Sequence, residues 1–181
     1  SVNGLSVIGT SFFACEGTAI FADGHETLVD GCRIDRCGAG VESYGVNPRV
    51  VSNSIENVAV GAIEIEGDGA VVTRNKLRMS GGHGIRVSGA KVHVERNTLH
   101  GASGHGIEVT GPGGFVEKNR VELIGGDGVS AQGAELTVAT NRLTGIQGFG
   151  IRSEGTQLLI ERNTITDSGH GLDHTGSGMT I

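Results

Sequence analysis

Asparagine recurs along this chain at a fixed interval of 22 residues, and this period constrains the fold more than any other feature. It occupies positions 53, 75, 97, 119, 141 and 163. A glycine followed by an aliphatic residue keeps the same period, as in Gly84-Ile85, Gly106-Ile107 and Gly128-Val129. Two features that stay in register over successive units indicate a repeat architecture, in which each unit adds one layer to a stack.

The pattern inside one unit predicts short strands. Ile85 and Val87 alternate with Arg86 and Ser88, and the alternation returns over residues 92–95. Short segments with a period of two, separated by Gly or Asn, are typical of strands, and no window carries the apolar stripe of a helix. Three such strands, joined at turns where glycine adopts positive φ, make one triangular coil. We therefore predict an all-β parallel β-helix, a solenoid of about eight coils of about 22 residues, as a single domain over residues 1–181.

Stacked coils place equivalent residues directly above one another. The aliphatic positions form three inward columns: Val72, Val94, Val116, Val138 and Ile160; Leu77, Leu99, Val121, Leu143 and Ile165; and Ile85, Ile107, Val129 and Ile151. The repeated asparagines stand where a strand ends, so each side-chain amide is predicted to bond to its neighbours in a ladder. Cys15 and Cys37 occupy equivalent inward positions and Cys32 a turn position; all three are predicted to be small apolar fillers, with a Cys15–Cys37 disulfide left open.

Composition and charge exclude several classes of protein. The net charge of −6 argues against a nucleic-acid partner, because such proteins carry a basic excess. No apolar run approaches the roughly 20 residues of a membrane span. The chain has no signal-like segment, and it opens and closes inside a repeat. We therefore expect it to be part of a longer chain.

The units Asn97-Thr98-Leu99, residues 106–109 and residues 116–119 resemble the parallel β-helix repeat of the pectin-lyase-like superfamily. That superfamily includes polysaccharide lyases, mannuronan C5-epimerases, glycoside hydrolases and the NosD-type periplasmic proteins of copper handling. The resemblance covers roughly residues 5 to 175. It implies a right-handed helix, an extracellular or periplasmic location and an acidic polysaccharide as partner. The epimerases carry an Asp-Pro-His motif, whereas neither Pro48 nor Pro112 follows an Asp, which argues against an epimerase.

In proteins of this superfamily the substrate lies along an outer sheet face, so outward positions beside the Gly-aliphatic strands are the candidate site. One outward column contains Phe21, Glu42, Glu64, Arg86, Glu108, Ser130, Arg152 and Asp173, and the column beside it contains His83, His105, Asp127, Phe149 and His170. The middle coils bring His83, Arg86, His105, Glu108 and Asp127 into one patch with neighbours about 5 Å apart. These groups suit proton abstraction beside a sugar carboxylate, and we predict them as catalytic or glycan-binding residues. The alternative is that they are solvated strand residues with mutually compensating charges.

Other charged groups give weaker signals. The stretch Asp167–His174 holds two imidazoles and two carboxylates, which suits zinc or copper but equally suits cover for a strand edge, so metal and cofactor stay open. Columns of opposite sign are predicted to neutralise one another: Glu95, Glu117 and Glu161 beside Arg74, Arg96, Lys118 and Arg162. Arg78, Arg120 and Arg142 add positive charge nearby.

Two functions remain open at this point. The first is a glycan-associated module that binds or processes an acidic polysaccharide, with catalysis undecided. The second is a structural β-helix, such as a stalk, spike or surface-array module, which the uninterrupted spacing favours because enzymes of this fold insert long loops. Tyr44 is the one tyrosine near the candidate face. Unpaired strand edges in the terminal coils predict end-to-end self-association.

Overall fold

The computed structural model describes residues 4–181, and every regular element in that range is a β-strand. In chain order the strands are β1 (Ser6–Ile8), β2 (Ser11–Phe13), β3 (Thr18–Asp23), β4 (Leu28–Asp30), β5 (Arg33–Asp35), β6 (Ala39–Tyr44), β7 (Arg49–Val51), β8 (Ser54–Val58), β9 (Ile63–Glu66), β10 (Val71–Thr73), β11 (Lys76–Ser80), β12 (Ile85–Ser88), β13 (His93–Glu95), β14 (Thr98–Ala102), β15 (Ile107–Thr110), β16 (Phe115–Glu117), β17 (Arg120–Ile124), β18 (Val129–Ala134), β19 (Thr137–Ala139), β20 (Arg142–Thr156), β21 (Leu159–Glu161) and β22 (Thr164–Ser177). β20 continues through a corner of its coil, because its first part pairs with β17 and its second part with β18.

Each coil contributes three strands, and each strand pairs in parallel with its equivalents in the neighbouring coils. The first face is the sheet β1, β4, β7, β10, β13, β16, β19 and β21. The second face contains β2, β5, β8, β11, β14, β17 and the first part of β20, and the third face contains β3, β6, β9, β12, β15, β18 and the second part of β20. The predicted parallel β-helix of about eight coils is confirmed.

The register follows the sequence period. Val72 pairs with Val94, and Ile85 pairs with Ile107, each 22 residues on. The step shortens by one residue where the sequence spacing does, so that Ile151 pairs with Leu172 across an irregularity that begins after Ile146. Because the register of a sheet determines which side chains face inward, the predicted columns follow directly from this pairing.

The core is a set of aliphatic columns inside the coil. Val72, Val94, Ile85 and Ile107 are completely buried, and Ile165 in the last coil is only partly buried. Each β-branched side chain stacks on a similar one above and below, which suits its restricted rotamers. Complete burial stabilises each such side chain by roughly 1.5–3 kcal/mol relative to exposure.

The asparagine ladder is present along the turn between the first and second faces. The Oδ1 atom of Asn119 accepts the backbone N–H of Asn97 at 2.9 Å and its side-chain N–H at 3.1 Å. The Nδ2 atom of Asn119 donates to the carbonyl of Val94 at 2.8 Å and to Oδ1 of Asn141 at 3.0 Å. The same bonds recur from Asn53 to Asn163. In the coil before Asn53 the equivalent position is Cys32, whose backbone N–H donates to Oδ1 of Asn53. The predicted buried ladder is therefore confirmed.

The turn before each ladder asparagine differs from the expectation that glycines close the coils. Arg74, Arg96, Lys118, Thr140 and Arg162 all have φ between 53° and 58°. A left-handed conformation costs a residue with a side chain roughly 1–2 kcal/mol. These turns persist because the next residue is a ladder asparagine, whose hydrogen bonds hold the backbone in place. The expectation is wrong for this turn, which needs no glycine.

Glycine is required at the end of the third face instead. Gly111 has φ 128°, and a Cβ there would lie 2.2 Å from the carbonyl oxygen of Gly89. Equivalent glycines stack in successive coils because the backbones approach too closely for a side chain.

All three cysteines are free thiols. Cys32 and Cys37 are buried in the core, and Cys15 is partly buried against it. This placement confirms their prediction as apolar fillers. Residues 4–181 contain no helix with the length and apolarity that crossing a membrane would require.

Candidate functional site

The third face presents the outward column that the sequence predicts. Arg86 on β12 pairs with Glu64 on β9 and with Glu108 on β15, so the three side chains stack in register. The column continues through Ser130 to Arg152. Their inward neighbours are buried aliphatic residues, and the alternation along each strand therefore points the charged side chains outward.

Arg86 lies between two carboxylates. Its Nη1 atom is 3.4 Å from Oε1 of Glu64, and its Nε atom is 3.7 Å from Oε2 of Glu108. The arginine side chain is half-exposed, whereas the Glu108 side chain is mostly covered. Ion pairs this exposed contribute little to stability, so the carboxylates can exchange for an external anion at small cost.

The two histidines form a stack at the corner that precedes the third face. The rings of His83 and His105 have centroids 5.3 Å apart. Nδ1 of His83 accepts the backbone N–H of His105 at 3.2 Å, and Nδ1 of His105 accepts the backbone N–H of Asp127 at 2.9 Å. Each Nδ1 therefore carries a lone pair, and the proton of the neutral ring is on Nε2.

Burial lowers the pKa of His83 below its usual value, and the neighbouring Glu108 carboxylate opposes this shift. Oε2 of Glu108 is 3.5 Å from Nδ1 of His83. That nitrogen accepts the N–H of His105, so the neutral ring has no proton to give to Glu108 there. The neutral imidazole of His83 can therefore donate a hydrogen bond from Nε2, whereas its lone pair on Nδ1 is already used by the backbone.

The sequence predicts that Asp127 points outward and is exposed, but this prediction is wrong. Its side chain is only 5% exposed. The reason is Gly148 in the next coil, where a Cβ would lie 2.4 Å from Oδ1 of Asp127. Oδ1 accepts the N–H of Phe149 at 2.8 Å. Oδ2 has no hydrogen-bond partner among the described residues, and it lies 3.4 Å from Nη1 of Arg152.

Arg152 also belongs to this group. It lies in the predicted outward column but is not one of the five predicted site residues. Its guanidinium lies over the ring of Phe149, 4.6 Å from the centroid, and its Nε atom is 3.8 Å from Oδ2 of Asp173. The signal that identifies it is the register, since Arg152 stands one coil beyond Ser130. The structure thus brings together His83, Arg86 and Glu108 in one subgroup and His105, Asp127 and Arg152 in a second beside it.

The third face as a whole is acidic. Its outward positions carry two arginines, Arg86 and Arg152, against many more carboxylates: Asp23, Glu42, Glu64, Glu66, Glu108, Glu154 and Asp173. Desolvation raises the pKa of Tyr44, and the carboxylates of Glu42, Glu64 and Glu66 raise it further. A shallow pocket of about 280 Å³ lies beside Arg86 and is lined by Glu64, Glu108, Thr110 and Gln132.

The residues of the stretch 167–174 do not converge on one point. His170 stacks on Phe149 with centroids 4.7 Å apart, and Asp173 lies beside Arg152. His174 lies in register with the buried Ser153, and its Nδ1 is 3.1 Å from Oγ of that serine. Within residues 4–181 no group of three or more His, Cys, Asp or Glu side chains is arranged to hold a metal ion.

The predicted neutralisation is confirmed for Arg96, Lys118 and Arg162, whereas Arg74 has no carboxylate within 4 Å among residues 4–181. Nζ of Lys118 is 3.0 Å from Oε1 of Glu95, and Nη1 of Arg96 is 2.9 Å from the same oxygen. The Lys118 ammonium, through its hydrogen bond, holds the pKa of Glu95 below its usual range. The charges of Arg96 and Lys118 are therefore satisfied locally.

Comparison with known proteins identifies the class and then the family. The parallel, single-chain coil with a buried asparagine ladder defines a β-solenoid, and the profile of the family described as "Right handed beta helix region" matches residues 61–181. The chain belongs to this family, which confirms the predicted handedness. A search of curated protein sequences finds no significant match.

Two solved structures match this chain. The periplasmic alginate epimerase AlgG, solved as a double mutant, is 11% identical with a TM-score of 0.61, over 98% of this chain and 70% of that chain. Endopolygalacturonase I from Stereum purpureum, in complex with two galacturonates, is 13% identical with a TM-score of 0.40, over 96% of this chain and 90% of that chain. The first likeness supports the parallel β-helix fold, and neither assigns an activity to this chain.

Proposed function

We propose that this chain is a glycan-associated β-helix module that binds or processes an acidic polysaccharide along its third face. The residues that would contact the polymer are His83, Arg86, His105, Glu108 and Asp127. An alginate epimerase of the same fold supports this choice of ligand class, and it supports an extracellular or periplasmic location.

The observation that carries the proposal is the arrangement around Arg86. A half-exposed guanidinium lies between two carboxylates, and the neutral imidazole of His83 lies 3.5 Å from one of them. A sugar carboxylate can replace Glu64 or Glu108 as the partner of Arg86, because the existing contacts are long and solvent-exposed. Glu108 can then accept a proton from the bound sugar ring, and Nε2 of His83 can donate a hydrogen bond to it.

A second candidate function is a structural β-helix without catalysis. The observation that favours it is internal compensation: Arg86 and Arg152 each pair with carboxylates of this chain, and the histidine nitrogens bond the backbone. The strands also follow one another without a long inserted loop between residues 4 and 181. In this function the paired arginines and the histidines stabilise the stacking of the coils and bind no ligand.

Arg86→Ala separates the two functions. We expect calorimetry with alginate, pectate and chondroitin sulfate to show binding by the unchanged chain and a loss of about tenfold or more for the variant. Arg49→Ala is the matched control, because Arg49 is also exposed but lies on the first face. Absorbance of an unsaturated product identifies a lyase.

Binding without product supports a recognition module. Binding that Arg86→Ala leaves unchanged refutes the third face as the polymer site. A chain that binds none of the three polymers refutes the glycan proposal and favours the structural function.

A further inference from the structure

The second face carries a strip of positive charge in the middle of an acidic protein. Lys76 on β11, Thr98 on β14, Arg120 on β17 and Arg142 on β20 lie in register, one above the other. The adjacent outward column contributes Arg78, followed by His100, Glu122 and Thr144. We call these eight residues the basic strip. It holds four permanent cations and one carboxylate, whereas the whole chain has a net charge of −6.

Most of the cations in the basic strip have no internal partner. Glu122 accepts a hydrogen bond from Nε of Arg120 at 2.8 Å, and its other oxygen is 3.5 Å from Nδ1 of His100. This pairing uses Arg120 alone among the four cations. Within residues 4–181, Lys76, Arg78 and Arg142 lie within 4 Å of no carboxylate. All three side chains are exposed.

The third face has a different charge balance. There, Arg86 and Arg152 are paired with carboxylates and outnumbered by them. On the second face, the unpaired Lys76 and Arg78 line a shallow pocket of about 380 Å³ together with the ion pair of Arg120 and Glu122. The unpaired Arg142 lies in register one coil beyond Arg120. Field lines from unpaired charges reach the solvent, which raises the local concentration of anions.

We propose that the basic strip is a second binding site, for a linear acidic polysaccharide that lies along the axis of the coils. Adjacent coils are about 4.8 Å apart, so Lys76 and Arg142 span ~14 Å. A polymer carrying carboxylate or sulfate groups meets a cation or a hydroxyl at every coil: Lys76, Thr98, Arg120 and Arg142 in turn. The inference rests on the proposed function only for the choice of a glycan as partner; it adds a second contact on a different face.

A glycan fits this strip better than a nucleic acid. Its outward positions on β11, β14, β17 and the first part of β20 include no Phe, Tyr or Trp on which a base can stack. The acidic third face also opposes the close, wrapping contact that nucleic acids make with basic domains. A flexible polymer with spaced anionic groups contacts one face only.

The test compares two double variants that each remove two positive charges. Arg78→Gln with Arg142→Gln changes the basic strip, and Arg49→Gln with Arg74→Gln changes exposed positions outside it. Calorimetry at low salt uses alginate, chondroitin sulfate, neutral dextran and duplex DNA. We expect the strip variant to lose about tenfold in affinity for both acidic glycans, ~1.4 kcal/mol, and the control variant to lose less than about twofold. Far-ultraviolet circular dichroism establishes that both variants are folded.

The variant Glu122→Gln tests whether the affinity for acidic glycans can be increased. Removing this carboxylate releases Arg120, so we expect tighter binding of the acidic glycans and no change with dextran. Comparison of alginate with chondroitin sulfate distinguishes carboxylate from sulfate recognition.

Amide chemical-shift mapping with a short alginate oligomer separates this inference from the proposed function. Shifts on β11, β14 and β17 support the basic strip; shifts confined to β12 and β15 overturn it and favour the third face. Equal loss of affinity in the two double variants, or no shift in either face, also overturns the strip. Binding of duplex DNA as tight as that of the glycans overturns the glycan as its partner. A separate absorbance assay measures formation of the unsaturated product. If its rate depends on Arg86, the result supports the third face and does not bear on the basic strip.

Discussion

Replacing Asn119 with Leu tests the ladder at its centre. Leu has a similar volume, but it removes the acceptor of the Asn97 backbone N–H and of one Asn97 side-chain N–H. It also removes the donors to the Val94 carbonyl and to Asn141. The residue is 2% exposed, so water cannot replace these partners. The substitution therefore leaves a buried polar group unsatisfied instead of exchanging one set of bonds for another.

The expected cost follows from those bonds. An orphaned buried N–H costs about 1–3 kcal/mol, and each further hydrogen bond lost costs about 0.5–1.5 kcal/mol. Burial of the apolar Leu offsets part of this. We expect the free energy of unfolding to fall by about 2–4 kcal/mol, and the melting temperature to fall by roughly 5–15 °C for a domain of this size.

The assay is urea unfolding followed by far-ultraviolet circular dichroism. Asn163→Leu is the matched control, because Asn163 makes the same bonds to Asn141 but is partly exposed in the last coil. We expect the control to lose clearly less stability than the central variant. If Asn119→Leu unfolds at the same urea concentration as the unchanged chain, the ladder contributes nothing and the reasoning fails.

Two further predictions follow from the histidine stack and from the terminal coils. Burial lowers the pKa of His83, so its titration midpoint in nuclear magnetic resonance should lie below 6.5 and should fall further in Glu108→Gln. Because the folded state favours the neutral ring, His83 contributes stability above pH 6.5, and this contribution declines as the pH falls below that value. The variant His83→Gln should therefore lose less stability on acidification than the unchanged chain. A titration midpoint of His83 above 6.5 would contradict the prediction. Strands β1, β2 and β3 pair on one side only within residues 4–181, so we expect the isolated chain to associate end to end, and sedimentation showing a monomer at high concentration would exclude that.

The fold was predictable because a repeat expresses its tertiary contacts in the sequence itself. In a stacked coil the residue 22 positions away is also the spatial neighbour, so the periods of Asn97 and Ile107 report contacts directly. The columns, the ladder and the neutralising pair of Glu95 and Lys118 all follow from that one relation. No long-range pairing had to be guessed, which is the usual limit on predicting a sheet from one sequence.

The site was predictable only in part. The register places Arg86 beside Glu108, but the burial of Asp127 depends on Gly148 in the next coil leaving space for the carboxylate. The histidine tautomers likewise depend on a backbone N–H that only the corner geometry directs at Nδ1. Left-handed turns at Arg96 and its equivalents have no glycine, so the residue at the turn gives no sequence signal of its conformation.

The sequence alone determined what recurs: the coil, its register, its core columns and the outward charges on each face. The tertiary structure decided which of those charges remain available. Arg120 pairs with Glu122 and Arg86 lies between Glu64 and Glu108, whereas Arg78 and Arg142 have no carboxylate partner among residues 4–181. Period and alternation are properties of the chain, but ion pairing depends on side-chain direction and on the spacing across coils, and those exist only once the coils are stacked.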